Sequence, residues 1–373
     1  MHGLNQKSQI MKKSLLISLL TSFLLWNCSD SSGNGDGQVD ERDIENVYFP
    51  PEKSVEWETV SATTLGWNSD SEQDVLDFLE ENKTKAFIIL KDGRIVIEKY
   101  FGDHTQNTSW YWASVGKTLT AFTVGIAQEE GLLDIDNRTS DYLGEGWTSL
   151  SLEDENRITI WHQLTMTSGL DDTEFDCVTP GCLTYIEDAG KRWAYHNGPY
   201  TLLQSVVANA AEEEWKAYFN EKLRDKIGMD GFWLPTNDTN NVFFSTARSM
   251  ARFGLLNLNN GTWNNETILG DADYRTDMKN TSQNLNKSYG YLWWLNGKQS
   301  YRAPVVQTEF QGELIPNAPS DMYTGLGKDD QKLYIVPSKG LVILRMGEDA
   351  GGDVLGPSSF DNELWEKLNT YIN

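Results

Sequence analysis

Residues 110–120 read WYWASVGKTLT, a serine three places before a lysine at the head of an apolar run. A Ser-x-x-Lys is expected about once by chance in a chain of this length, and it occurs once here, at Ser114 and Lys117. Spacing leaves two readings open. Either Ser114 caps a helix and Lys117 points at water, or Ser114 is a nucleophile whose proton acceptor lies one helical turn away on the same face. The second reading requires that burial lower the lysine from its reference value of about 10.4 before it can take a proton at neutral pH. Trp110, Tyr111 and Trp112 before the motif, and the apolar residues after it, supply material for that burial. Leu119, Phe122, Thr123, Ile126 and Ala127 follow a helical period that stops at Gly131. Ser114 therefore stands at the mouth of a helix, where free amides and the positive dipole end favour developing negative charge.

Outward from this helix the chain reads as continuous from residue 48 to 373, with no long linker and no internal repeat. Residues 86–101, AFIILKDGRIVIEKYF, are two β-branched runs around Lys91-Asp92-Gly93-Arg94, which predicts a hairpin. A helix is expected over 73–81. The middle reads as mostly helical and loop-rich, with helices over 159–166, within 200–227 and over 246–256. Strands are expected over 332–336 and 341–346 around a Pro337-Ser338-Lys339-Gly340 turn, and a last amphipathic helix over 359–371. Strands at both ends with helices between them imply an α+β fold. Its antiparallel sheet is built from N- and C-terminal segments, flanked by helices, with a mostly helical region inserted.

The chain has 373 residues, a formal net charge of -24 and a pI near 4.5. That balance argues against a nucleic-acid partner, which would require clustered Lys and Arg. Residues 1–27 read as an export signal: Lys12 and Lys13 precede SLLISLLTSFLLW, a stretch too short for a comfortable membrane span. Met11 offers an alternative start, since the ten residues before it add nothing to a signal. Leu25-Trp26-Asn27-Cys28 resembles a bacterial lipobox, although Trp26 and Asn27 are bulkier than usual there. The expectation is an exported lipoprotein anchored at the outer membrane or cell surface through Cys28. The alternative is a simple cleaved signal or an anchor helix. Residues 28–47 then form a flexible Gly/Ser/Asp-rich tether. Cys177 and Cys182, in DCVTPGC, are brought together by the Pro180-Gly181 turn, and in an oxidising compartment they are expected to form a disulfide. Their use as zinc ligands would need further partners that the sequence does not provide. No phosphate-cradling loop, nucleotide fingerprint or ligand cluster is present, so no cofactor is expected.

The second chemical element is Tyr195-His196-Asn197, in a Gly/Pro-containing loop before a helix. A tyrosine beside the serine can shuttle a proton to a leaving group, and an asparagine amide can hold both the lysine and a substrate carbonyl. Tyr-x-Asn recurs at Tyr218-Phe219-Asn220 and Tyr371-Ile372-Asn373, where amphipathic packing accounts for it. His196 could be read as part of a Ser-His-Asp set, but a loop or supporting role suits its context better. Trp110, Tyr111, Trp193, Tyr200, Trp293 and Trp294 are expected to be mainly core, and Trp112 is a candidate for lining a substrate pocket.

In this order, these residues resemble the serine hydrolases of the class C β-lactamase and penicillin-binding-protein superfamily. The closest likeness is to the β-lactamase-related group that includes 6-aminohexanoate-dimer hydrolases and esterases. ITIWHQLTMTSGL at 158–170, STARSMARFGLLNLNNGTW at 245–263 and IVPSKGLVILRMG at 335–347 extend the likeness over most of the chain. The resemblance implies Ser114 as acyl-forming nucleophile, Lys117 as its base partner, Tyr195 as proton shuttle and Asn197 as polar anchor. It also implies an oxyanion hole from two backbone amides, one belonging to Ser114 and one to the strand of the family's third motif. That motif is Lys-Thr-Gly or a His/Ala-x-Gly variant, and here the matching stretch is Gly325-Leu326-Gly327, so glycine replaces the basic residue. Lys328 stands one step along, and the two glycines could equally serve close strand packing. The substitution weakens a β-lactamase or DD-peptidase reading, because the missing cation would bind a substrate carboxylate. The expectation is cleavage of a small ester or amide, with β-lactam-like substrates and a non-turnover sensor lipoprotein as the alternatives.

Overall fold

The computed structural model describes residues 46–52, 55–236, 240–351 and 356–373. The export segment, Cys28 and nearly all of the tether lie outside the described residues.

The 86–101 hairpin forms as its sequence dictates. Strand β1 (Thr84–Lys91) and strand β2 (Arg94–Tyr100) flank the two residues Asp92 and Gly93, both at positive φ. Before them lies helix α1 (Glu72–Glu81). Strand β3 (Trp110–Tyr111) leads through a tight turn into α2 (Gly116–Glu129). Then follow α3 (Ile160–Leu164), capped by the Thr159 side chain, and α4 (Asn197–Ala211), which ends where Glu212 turns to a φ of 52°. The span 200–227 is thus one long helix and a broken second one that resumes at Trp215.

The middle is less helical than its sequence implied. Strands β4 (Phe232–Thr236) and β5 (Asn240–Ser245) form a hairpin, and β3 joins them in a three-stranded sheet of order β3-β5-β4. Aromatic pairs carry this hairpin, with Phe232 opposite Phe244 and Trp233 opposite Phe243, and Pro235 is tolerated because β4 is an edge strand. Helix α5 (Ala247–Leu258) follows, with Thr246 as its N-cap. Short strand β6 (Trp294–Leu295), then β7 (Tyr323–Gly327), β8 (Gln331–Val336), β9 (Leu341–Gly347) and α6 (Ser359–Ile372) complete the chain.

The main sheet is antiparallel with order β2-β1-β9-β8-β7-β6. Its β1–β9 pairing, with Ile88 opposite Leu344, joins the two ends of the domain. Both faces are covered, so β8 and β9 are buried at every position rather than at alternate ones. On one face lies α5. Its Gly254 sits so close to β8 and β9 that an added Cβ would be 2.4 Å from Val342 and 3.0 Å from Leu333. On the other lie α1 and α6, with Phe78 stacked on Phe360 and Trp365 edge-on to Tyr334. Each fully buried large apolar side chain of this kind contributes roughly 1.5–3 kcal/mol by leaving water.

Candidate active site

Helix α2 is buried from Gly116 through Ala127 and runs through the core. Its entry turn is fixed from several sides. The Trp112 amide donates to the Phe243 carbonyl at 2.8 Å, and the Trp112 indole N–H donates to Ser245 Oγ at 2.8 Å. Ala113 has a φ of 47°, a left-handed conformation that costs an L-residue about 1–2 kcal/mol and persists only where the surroundings impose it. Ser114 leaves this turn with its side chain making no helix cap. Its Oγ instead accepts a hydrogen bond from Lys117 Nζ at 3.0 Å, so the capping alternative is not the one realised.

Lys117 is 2% exposed. Burial in apolar surroundings lowers its pKa to about 7, and Asp176 acts in the opposite direction by favouring the ammonium. The rings of Tyr195 and Tyr200 flank Nζ, with centroids 4.8 and 4.4 Å away. The Tyr195 hydroxyl is a close neighbour of Ser114, near enough for the serine to act on its ionisation. Burial raises the Tyr195 phenol above its ordinary value, with the Ser114 contact offsetting only part of the shift. Near neutral pH the lysine can therefore exchange a proton while the tyrosine remains a neutral phenol. This divides the roles: Lys117 is suited to be base, and Tyr195 to hand on a proton. Tyr195 is held by Trp294, stacked at 5.8 Å, and by Tyr289, edge-on at 6.3 Å.

Asn197 opens α4 beside Tyr195. Its Nδ2 donates to Asp176 Oδ1 at 2.7 Å, and its buried Oδ1 has no hydrogen-bond partner among the described residues. The amide is thus committed to a carboxylate that the sequence reading had not singled out. The free carbonyl oxygen can accept from the lysine or from a substrate N–H. His196 packs against Gly198, and burial lowers its pKa to about 4, so its imidazole is neutral at physiological pH. The partners of Ser114 are Lys117 and Tyr195.

Gly325 and Gly327 lie on β7, the strand nearest the nucleophile turn. A Cβ on Gly325 would be 3.0 Å from Val115 Cγ1, and one on Gly327 would be 2.8 Å from the Trp112 carbonyl oxygen. Their smallness brings the strand end against the backbone that carries Ser114. A side chain at either position would crowd this contact, and neither glycine supplies a basic group. Gly327→Ala must push β7 away from Trp112 and is expected to lower kcat/KM on the order of tenfold to a hundredfold. Steady-state kinetics on the folded variant would check this, and unchanged kinetics would show that the close approach has no bearing on the site.

One expectation needs correction. Trp112 is fully buried with its indole N–H bonded to Ser245, so it offers no surface to a substrate. Lys328 lies beyond β7 in a short turn and is exposed to solvent. That turn is held from behind, because Arg345 donates to the Asp329 and Asp330 carbonyls at 2.8 and 3.0 Å. Tyr111 donates to the Asp329 carboxylate and so ties the turn to the strand before Ser114.

Cys177 and Cys182 are joined in a disulfide. Glu174 comes close to both sulfurs, but sulfurs bonded to each other are not thiolate ligands, which leaves no basis for zinc at this place.

Comparison with known proteins agrees with this fold. An uncharacterized protein of Alkalihalophilus pseudofirmus is 26% identical over 299 residues, which is 70% of this chain and 82% of that one. Among solved structures, a Bacillus anthracis protein assigned as a 6-aminohexanoate-dimer hydrolase superposes with a TM-score of 0.65 at 20% identity, covering 87% of this chain and 88% of that one. A family VIII carboxylesterase superposes with a TM-score of 0.60 at 15% identity, covering 81% of this chain and 98% of the other. At such identities the structural likenesses speak for the fold alone. The Beta-lactamase family model matches residues 79–358, a span that takes in Ser114, Lys117, Tyr195, Asn197 and β7. The chain belongs to the Beta-lactamase family, within the serine hydrolase superfamily.

Proposed function

We propose that this protein is an exported, membrane-tethered serine hydrolase that cleaves a small ester or amide through a Ser114 acyl-enzyme. One observation carries the reading: a buried lysine with a pKa of about 7 donates to Ser114 Oγ at 3.0 Å, and the Tyr195 hydroxyl meets the same serine. In the forward step neutral Lys117 takes the serine proton as Oγ attacks the carbonyl carbon. The resulting ammonium returns that proton, through the Tyr195 hydroxyl, to the departing alcohol or amine. Water then attacks the acyl carbon, its proton passes by way of Tyr195 and Lys117 to Ser114 Oγ, and the carboxylic acid leaves with the serine restored. The Ser114 amide and the end of β7 are the positions assigned to the oxyanion hole.

The substrate preference rests on Gly325 and Gly327, which carry no basic side chain to bind a carboxylate and are packed closely against the turn of Ser114. This supports neutral esters and amides over penicillins and D-Ala-terminated peptides. Turnover of p-nitrophenyl butyrate should exceed that of nitrocefin when compared as kcat/KM. Efficient nitrocefin hydrolysis would overturn the preference. A stable adduct without released product, seen by intact-mass spectrometry, would make the protein a binder rather than an enzyme.

A further inference from the structure

The segment 174–177 touches the catalytic group at several points. The Phe175 carbonyl accepts the Asn197 and Gly198 amides at 3.1 and 3.2 Å, and its ring stacks on Tyr195 with centroids 6.1 Å apart. Asp176 Oδ1 receives the Asn197 amide at 2.7 Å. The Cys177 carbonyl comes so near α4 that a Cβ on Gly198 would be 2.2 Å from it. The disulfide then links Cys177 to Cys182, and Leu183, the next residue, is fully buried against Trp147, Ile158 and Leu170. The covalent bridge therefore connects a loop at the site to a fixed point of the core.

We propose that Asp176 is a positioning residue of the site, holding the Asn197 carboxamide and bringing a carboxylate charge within electrostatic reach of Lys117, with the Cys177–Cys182 disulfide keeping it there. The inference rests on the serine hydrolase reading above. Lys117 faces Ser114 from its own helix turn and Tyr195 and Tyr200 from α4 and the loop before it, with Tyr289 behind the two tyrosines. Among the described residues Asp176 is the carboxylate whose charge acts on it. A negative neighbour favours the protonated lysine, so removing the charge lets Lys117 lose its proton at lower pH.

The test is the pH dependence of Ser114 labelling by a fluorophosphonate, measured on variants with wild-type thermal melts. The wild-type rate should rise through an acidic limb near the Lys117 value of about 7. Asp176→Asn keeps an acceptor for Asn197 and drops the charge, and it should move that limb down by about one pH unit. The Cys177→Ser/Cys182→Ser double variant should move it in the same direction by less. Glu174→Gln, an exposed carboxylate on the same loop, should leave it in place. An unmoved limb in Asp176→Asn, with labelling intact, overturns the inference. Absence of labelling in the wild type would instead overturn the hydrolase reading beneath it.

Discussion

Ser114→Ala is expected to lower ester or amide turnover by at least about a thousandfold, because a nucleophile that forms the covalent intermediate has no substitute in the site. The same variant should lose all fluorophosphonate labelling. The fold should survive, since Ser114 caps no helix and its side-chain hydrogen bond goes to Lys117. That bond carries a stability consequence of its own. Removing the hydroxyl leaves a buried lysine with fewer partners, and its pKa of about 7 already places the neutral form within reach. The vacated amine should shed its proton rather than unfold the protein. Activity within tenfold of wild type, by product formation under single-turnover conditions, would remove Ser114 from the role given to it.

The largest expected effect on stability lies on the opposite side of the main sheet. Lys332 and Asp361 are both fully buried, with Nζ and Oδ2 2.8 Å apart, and Lys332 also meets Asp330 at 3.1 Å. The Tyr334 hydroxyl donates to Asp361 Oδ1 at 2.5 Å, and the Ser358 amide donates to Oδ2 at 2.8 Å, closing the capping box of α6. Asp361→Ala leaves a buried cation short of a partner, a phenol unbonded and the α6 capping box without its reciprocal half. Breaking a buried pair from one side typically costs roughly 3–5 kcal/mol. The variant should show that loss in urea unfolding at an unchanged slope. A Lys332→Met/Asp361→Leu pair should recover much of it, because no uncompensated charge remains. A loss below about 1 kcal/mol for Asp361→Ala would mean that water reaches the cluster.

Local chemistry made much of this fold legible. The Asp92-Gly93 turn, the Pro337–Gly340 turn, the helical stretch over 246–256 and the period of α6 each lie within a few residues of the structure they specify. The Ser114–Lys117 contact was legible for the same reason, as a spacing of one helical turn. What escaped notice is built from distant pairings. Strands β3 and β6 are two residues long and exist only because β5 and β7 lie beside them. Asp176 is one acidic residue among many along the chain, and only the packing of its loop on α4 brings it to Asn197. Trp112 was misjudged because an aromatic beside a nucleophile looks the same in sequence whether it faces a pocket or the core.

The pairing of β1 with β9 also sets a timetable. The first strands of the main sheet acquire their central neighbour only when residue 347 has left the ribosome, and closing so long a loop is slow on entropic grounds. Until then β1 has β2 as its only sheet partner among the described strands, and a lone hairpin is marginal in water. A chain arranged in this way stays unfinished through nearly all of its synthesis. For a chain exported as proposed above, that delay keeps the polypeptide open while it crosses the membrane.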